Sequence, residues 1–272
     1  MNENMMPKIT VVTVCYNAVD AIEKTILSVI NQTYQNIEYI IIDGGSTDGT
    51  IDVIKKYETR LSKWVSEPDK GIYDAMNKGI KMATGEWINF MNAGDEFYGS
   101  DVLERMCRMN FDNAAVIFGD VALKLNDVLY HLRAKPFYEN MPLHHSMGFN
   151  HQCTFVRTDL ANQYPFDLSY KLASDYHMII NLYRKGYKFH QLKNLVIAIY
   201  DTVGVSEKNR FQHIFETLMV DSPNRRLINK LLTIYYFLKL KYKTYVGKCI
   251  FKLFPKYMAK RRAQRGVINL SK

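Results

Sequence analysis

TVVTVCYNAVDAIEKTILSVINQTYQNIEYIIIDGGSTDGT, residues 10–50, decides the fold. It opens within an apolar, β-branched run from Ile9 to Tyr16, the composition of a buried strand. Asn17 ends that run. Ile22, Ile26, Val29 and Ile30 then recur at helical spacing, so a helix follows. Tyr39 to Ile42 is a second strand, closed by Asp43-Gly44-Gly45-Ser46. The alternation continues beyond the stretch. A helix is predicted from about Thr50 to Arg60, and a short strand at Trp64-Val65-Ser66. The next helix carries Ile72, Ala75, Met76, Gly79, Ile80 and Ala83 on one side. A strand from Trp87 to Met91 then stops at Asn92-Ala93-Gly94-Asp95. Strand and helix alternating at this spacing predict an α/β fold, with a mostly parallel central sheet and helices on both faces. Such sheets bind ligands at the carboxyl ends of their strands. Asn17, Asp43, Asp69 and Asp95 all fall just after strands, so they are expected on one rim.

The rest of the chain is more mixed. Ala115–Phe118 and Val121–Leu125 read as strands, with Asp127–Leu132 pairing the latter, and Cys153–Arg157 is a further short strand. Ser174–Lys185 is an amphipathic helix with Ser174 as its expected cap and Gly186 as its stop. Lys188–Tyr200 is extended, and a helix follows from about Lys208 to Val220. The expected boundary lies near Asp221-Ser222-Pro223-Asn224. Residues 1–110 and 111–224 are then two halves of one domain, and 225–272 form a tail.

Charge supports that division. Of 36 Lys and Arg residues, 14 fall in 225–272, which has no Asp or Glu; the other 22 face 27 acidic residues. The body is therefore mildly acidic, and no nucleic-acid-binding face is suggested there. With 47% hydrophobic residues, global disorder is excluded. The four cysteines, Cys15, Cys107, Cys153 and Cys249, form no C-x-x-C pair, which points to a reduced, cytoplasmic chain without a cysteine zinc site. The N-terminal residues make a poor secretion signal, and no apolar stretch reaches the length of a membrane span.

The motifs narrow the chemistry. Neither G-x-G-x-x-G nor G-x-x-x-x-G-K-[ST] follows the first strand, which argues against a dinucleotide enzyme or a P-loop NTPase. Asp43 is either an acceptor for a base N–H or a ribose hydroxyl, or a residue of a strand-to-helix turn with Ser46 or Asp48 capping. Asn92 and Asp95 either hold a divalent cation through oxygens or simply make a turn. Asp175, in the first turn of its helix, is held as a carboxylate by the helix dipole whether or not it does chemistry. His144-His145 and His151 lie between the halves, as ligands or as ordinary histidines. Tyr73 and Asn77 either line the site or lie on plain surface, on the helix face opposite Ala75-Met76.

Together with EPDKGIYDAMNKGIKMATGEWINFMNAGDEFY (67–98), the opening stretch resembles the nucleotide-sugar half of family 2 inverting glycosyltransferases of the GT-A fold, a Rossmann-like architecture. The resemblance covers roughly residues 7–110. Within that family the chain is most similar to bacterial enzymes of polysaccharide assembly, including colanic-acid-type transferases. HQCTFVR (151–157), SDYHMII (174–180) and VGVS (203–206) extend it, more weakly, to about residue 220. It implies a hexosyltransferase-type enzyme. The donor is a nucleotide-sugar, foremost a UDP-sugar, and the acceptor is saccharide or lipid-linked, in capsule or exopolysaccharide synthesis. It implies that Thr13, Tyr16 and Asn17 meet uracil and ribose, that Asp43 takes the nucleotide-binding acidic position, and that Asp69 lies beside base and ribose. Asn92 and Asp95 span the D-x-D metal position, with Asp95 as the metal carboxylate. His151 lies near the active cleft on the donor, and Asp175 matches the catalytic base. Lys70 is placed to offset charge on the leaving diphosphate.

Two departures stand out. Many relatives read D-D-G-S where this chain has Asp43-Gly44-Gly45-Ser46, and D-A-D-D where it has Asn92-Ala93-Gly94-Asp95. With two carboxylates lost, a weakly held Mg²⁺ or Mn²⁺ is expected. The Q-x-x-R-W motif of processive synthases is absent, which favours adding one sugar per visit.

The tail interleaves Leu, Ile, Phe and Tyr with Lys and Arg. Leu227, Leu231, Ile234, Tyr235 and Leu238 form a helical stripe, the composition of a helix lying on an anionic membrane surface. A peripheral position on the inner face of the cell membrane is the expectation. A helical hairpin packed on the domain and an RNA-binding tail are the alternatives for the segment. For the whole chain the alternatives are a non-catalytic nucleotide-sugar-binding or scaffold protein, a nucleic-acid-binding protein acting through the tail, and a glycosidase with two facing carboxylates.

Overall fold

The computed structural model describes residues 6–111, 113–125, 128–135, 148–201, 209–221, 226–253 and 268–269. The strands are β1 (Ile9–Cys15), β2 (Ile37–Asp43), β3 (Lys63–Ser66), β4 (Trp87–Phe90), β5 (Glu96–Phe97), β6 (Val116–Leu125), β7 (Val128–Leu132), β8 (Thr154–Arg157), β9 (Phe189–Asp201) and β10 (Ile268–Asn269). The helices are α1 (Val19–Ile30), α2 (Thr50–Lys56), α3 (Ile72–Met82), α4 (Val102–Cys107), α5 (Thr158–Gln163), α6 (Ser174–Arg184), α7 (Arg210–Asp221) and α8 (Arg226–Leu253).

All these strands join one sheet, whose main path runs β10-β7-β6-β8-β4-β1-β2-β3. The β4-β1-β2-β3 block is parallel throughout. β8 enters antiparallel to β4, and β6 antiparallel to β8. β6 therefore points the same way as β4, and its carboxyl end shares the rim of the parallel block. β9 runs parallel to β6 and reaches across to β5.

Every residue of β1 is buried, because both of its faces are covered. Ile9 and Val11 pack with Ile22, Ile26 and Val29 of α1, Ile54 of α2 and Leu103 of α4. Val12 and Val14 pack on the opposite side with Met76 and Ile80 of α3, Leu160 of α5 and Ile179 of α6. Alternation at period two thus feeds two separate cores. Full burial of one such side chain contributes on the order of 1.5–3 kcal/mol.

Several expected boundaries move. The helix expected over 50–60 ends at Lys56, and Glu58–Arg60 close as a tighter turn. The two strands expected at 115–118 and 121–125 are one, with its register to β9 shifted between Phe118 and Val121. Gly119 sits at that shift because a β-carbon there would press on the Leu195 carbonyl and the Ile197 side chain. The helix expected over 208–220 starts at Arg210. Residues 222–224 of the expected boundary lie outside the described residues.

Cys15, Cys107 and Cys153 are free and buried. Among the described residues, no helix is long and apolar enough to cross a membrane.

Candidate active site

The loops after β1 and β2 are tied to each other. Asn17 adopts φ 47, a left-handed conformation that Asn tolerates better than most residues. Its N–H donates to Ser46 Oγ at 2.7 Å, and its Oδ1 accepts from the Thr47 N–H at 3.0 Å. The N–H groups of Ala18 and Val19, at the head of α1, donate to Thr50 Oγ1 and Asp48 Oδ2. α1 is thus capped from another loop and needs no cap residue of its own.

Asp43 is the knot of this region. It is fully buried. Its Oδ2 accepts from the N–H groups of Gly45 and Ser46 and from Ser66 Oγ; its Oδ1 accepts from Ser46 Oγ and the Cys15 thiol. Burial pushes its pKa up, but these donors outweigh it and hold the carboxyl below its usual range. Of the two roles open from sequence, the geometry displays the turn.

Asp69 stands at the surface of this knot. A β-carbon on Gly44 would overlap the Asp69 carboxylate and touch the Tyr16 ring. The Gly71 N–H holds Asp69 Oδ1 at 2.8 Å. Tyr16 is 65% exposed beside it. An open aromatic face next to a carboxylate suits a nucleobase and ribose.

One helix start further on, a second cluster forms. Tyr73, near the head of α3, donates its hydroxyl to Asp175 Oδ1 at 3.0 Å. The Tyr176 N–H donates to the same oxygen at 2.8 Å. His151 Nδ1 lies 3.5 Å from Asp175 Oδ2, and its Nε2 is 3.0 Å from Asn92 Nδ2. A continuous chain, Tyr73–Asp175–His151–Asn92, thus links α3, the head of α6, the turn before β8 and the end of β4.

The electrostatics follow from this packing. Burial works against the Asp175 carboxylate, but His151, the Tyr176 N–H and Tyr73 outweigh it and lower its pKa. Burial also works against a charged His151, and Asp175 together with Asp95 overcomes that and raises its pKa. Burial, then the charge of Asp175, pushes the Tyr73 phenol well up, so it remains a donor.

The Asn92–Asp95 turn is fixed from α1. Thr25 Oγ1 accepts from the Gly94 N–H at 2.9 Å and donates to the Asp95 carbonyl at 2.7 Å. Thr25 is fully buried. A hydroxyl among the apolar residues of α1 was the available sequence signal for this role. Among the described residues no three His, Cys, Asp or Glu side chains gather to hold a metal. Asn92 Oδ1 is, however, buried without a hydrogen-bond partner there. With the Asp95 carboxyl it offers two hard oxygens, a set that fits Mg²⁺ or Mn²⁺ if diphosphate oxygens and water complete the shell.

The rim therefore gathers Tyr16, Asn17, Asp69, Asn92, Asp95, His151 and Asp175. Thr13 is not among them. It is fully buried within β1, and its hydroxyl pairs with Tyr39 OH at 2.9 Å. One strand residue short of the rim faces the core, which the apolar run did not reveal. Lys70 is exposed in the loop before α3, and its backbone N–H donates to Asp74. Tyr73 is buried rather than on plain surface, in the same core cluster as Ala75 and Met76. Asn77 pins the backbone of Phe166 through both its amide atoms. Ser174 does not cap α6: it is the first helical residue, and its hydroxyl is buried without a partner among the described residues. His144, His145 and the VGVS segment (203–206) lie outside the described residues.

Known proteins resemble this chain in sequence and in fold. A PGL/p-HBAD biosynthesis glycosyltransferase of Mycobacterium bovis is 26% identical over 204 residues, covering 73% of this chain and 78% of its own. The mannosyltransferase PcManGT from Pyrobaculum calidifontis, solved with GDP-Man and Mn²⁺, superposes with a TM-score of 0.63 at 16% identity, covering 92% of this chain and 82% of its own. Staphylococcus aureus TarS 1-349, solved with UDP, gives 0.58 at 18% identity over 91% of this chain and 75% of its own. These likenesses in structure establish a GT-A-like fold. The Glycosyl transferase family 2 model matches residues 10–163, more than half of the 272, and the chain accordingly belongs to that family of sugar-transferring enzymes.

Proposed function

We propose that the enzyme transfers one sugar, with inversion, from a UDP-sugar to a hydroxyl of a saccharide or lipid-linked acceptor during bacterial surface polysaccharide assembly. The observation that carries this reading is the chain Tyr73–Asp175–His151–Asn92, which joins a carboxylate to the rim where a donor diphosphate would lie. Tyr16 and Asp69 suit the base and ribose. TarS has been solved with UDP and with UDP-GlcNAc, which favours uridine; PcManGT, solved with GDP-Man, makes guanosine the competitor to test.

Inverting transfer is a single displacement at the anomeric carbon. Asp175, ionised at neutral pH, accepts the proton of the attacking hydroxyl through Oδ2, while Tyr73 and the Tyr176 N–H hold Oδ1. His151 orients the base: its Nδ1–H faces Asp175 Oδ2, and its Nε2 accepts from Asn92 Nδ2, so it lies between Asp175 and the diphosphate. Asn92 and Asp95 would hold the divalent cation, which when bound offsets charge on the departing diphosphate.

A panel of UDP- and GDP-sugars, titrated by calorimetry with and without Mn²⁺ and then assayed for turnover, tests the proposal. Asp175→Asn should lower kcat by about 10²- to 10⁴-fold while nucleotide binding persists. Wild-type turnover in that variant, or no nucleotide-sugar bound by the native chain, would end the proposal.

The second part of the proposal concerns place. α8 seats Asn229 and Thr233, both buried, against the body. Its other side exposes Leu227, Leu231, Ile234, Tyr235, Leu238 and Tyr242, each between 47% and 73% exposed. An outward apolar stripe in a segment with 14 basic and no acidic residues fits an anionic membrane surface. Adsorption there would confine enzyme and lipid-linked acceptor to one plane at the inner face of the membrane.

A further inference from the structure

α6 carries Asp175, which takes the Tyr176 N–H, but the residue at its cap position makes no side-chain bond. Ala173, which precedes it, has no hydrogen-bonding side chain to offer, and Ser174 Oγ does not fold back onto the helix. The two backbone N–H groups just before its first residue are nevertheless held from outside. Glu216, on α7, accepts the Leu172 N–H at 2.7 Å and the Ala173 N–H at 3.1 Å, both through Oε2. Its other oxygen accepts from Gln212 Nε2 at 2.8 Å. Glu216 is only 8% exposed, so it makes these bonds out of water. On the far side of the same helix head, the Tyr73 hydroxyl meets Asp175.

α7 grips α6 at two further points. Tyr176 OH donates to Asp221 Oδ1 at 2.7 Å, and Arg184 reaches the carbonyls of Val220 and Asp221. α7 in turn seats α8: Asn229 Nδ2 donates to the Leu218 carbonyl at 3.1 Å, and the Phe211 and Phe237 rings meet edge to face.

We infer that Glu216 is a positioning residue for sugar transfer: by capping α6 from α7 it fixes the head of the helix, and so sets where the Asp175 carboxylate stands relative to His151 and the acceptor. The inference rests on the reading of Asp175 as the base. The geometry favours positioning over bulk stability alone, because both bonds fall two and three residues before Asp175. A shift of under 1 Å there opens the 3.0 Å and 3.5 Å contacts that orient the carboxylate. Misplacement on that scale can cost about 10²-fold in rate. The part of the rim that suits the base and ribose, built from the loops after β1, β2 and β3, takes no part in this contact and should keep its affinity.

The test compares Glu216→Ala, Glu216→Gln and Asp175→Asn in the full chain. UDP titration gives the number and affinity of intact donor sites, and kcat is expressed per UDP-binding site. Glu216→Ala should lower that kcat by about 10- to 100-fold with the UDP affinity unchanged. Glu216→Gln should recover most of it, because one amide oxygen can accept both N–H groups and Gln212 can turn its own amide to match. A purely structural role would reduce the number of UDP sites and leave kcat per site intact, and that result overturns the inference. Failure of Glu216→Gln to recover the rate overturns it too. If Glu216→Ala does not fold, Glu216→Asp, one methylene shorter, takes its place with the same expectations. Asp175→Asn separates the two layers. Full turnover in that variant removes the base and the inference together, whereas an inactive Asp175→Asn beside a fully active Glu216→Ala removes the inference alone.

Discussion

Gly44 shows how a missing side chain can be part of a site. Where the family resemblance leads one to expect a second acidic residue, this chain has no β-carbon, and the Asp69 carboxylate occupies the space. Putting an acidic residue back should therefore not strengthen donor binding. Gly44→Asp is expected to drive Asp69 away from Tyr16 and weaken UDP affinity about 10-fold or more, measured by calorimetry; a tighter complex would refute this packing argument. His151 gives a pH signature. Its charge, favoured by Asp175 and Asp95 against burial, is lost as pH rises through a pKa above the ordinary value of about 6.5. Asp175, lowered chiefly by His151 against burial, is protonated only well into acid. In His151→Gln the acid limb of the kcat profile should move to higher pH, because only Tyr73 and the Tyr176 N–H then oppose the effect of burial on Asp175. An unchanged profile from about pH 4 to 9 would separate His151 from the chemistry. Asn17, Asp69 and Asp95 were legible in sequence because a residue after a parallel strand has a predictable place; Asp43, expected beside them by the same rule, ends β2 and is turned inward onto Ser46 and Ser66. Thr13 was not legible, because whether a side chain near a strand's end faces core or rim depends on Tyr39, a neighbour 26 positions away.

Among the elements, β1 and β2 owe their alignment to a buried carboxylate at the edge opposite the site. Glu38 accepts from Thr10 Oγ1, the Thr84 N–H and Thr84 Oγ1, each at 2.7 Å, with Lys8 at 3.3 Å. Burial alone would raise its pKa, yet these partners hold it down at about 2. Because the folded value is depressed, the stabilisation is complete above the unfolded carboxyl value of about 4.3 and fades as pH falls toward the folded one. Glu38→Gln should cost about 2–3 kcal/mol at neutral pH, with the difference shrinking in strong acid. Urea unfolding of both proteins at the two pH values checks this, and equal midpoints at neutral pH would contradict it. β1 was readable to within a residue, and the buried faces of α1 and α3 were visible as periodic apolar positions. Ends closed by distant partners were not. α1 is capped by Asp48 and Thr50, and α6 by Glu216, so a local rule that looks for a cap beside the helix picks Ser174 and misses the residue that does the capping.

Across the molecule, the parallel block was visible from alternation alone, whereas the second half was read only as scattered strands. Its order depends on β8 entering antiparallel between β4 and β6, a choice made by tertiary packing. The charge imbalance of the tail was equally visible, but not which side of α8 faces out. That orientation yields a test. Leu231→Glu with Leu238→Glu changes two residues that are 62% and 58% exposed, so folding should be spared. The native chain should float with vesicles containing anionic phospholipid at low salt, and the double variant should remain at the bottom of the gradient. Equal flotation, or flotation indifferent to lipid charge, would rule out the membrane assignment. The stitching of the first two loops has a wider consequence. Five hydrogen bonds already hold the turn after β1 to the turn after β2, from Asn17, Thr47, Ala18 and Val19 to the Gly44 amide on the Cys15 carbonyl. A cradle finished before its guest arrives has little conformational freedom left to surrender, so donor capture on that side should resemble a key entering a cut lock rather than a hand closing.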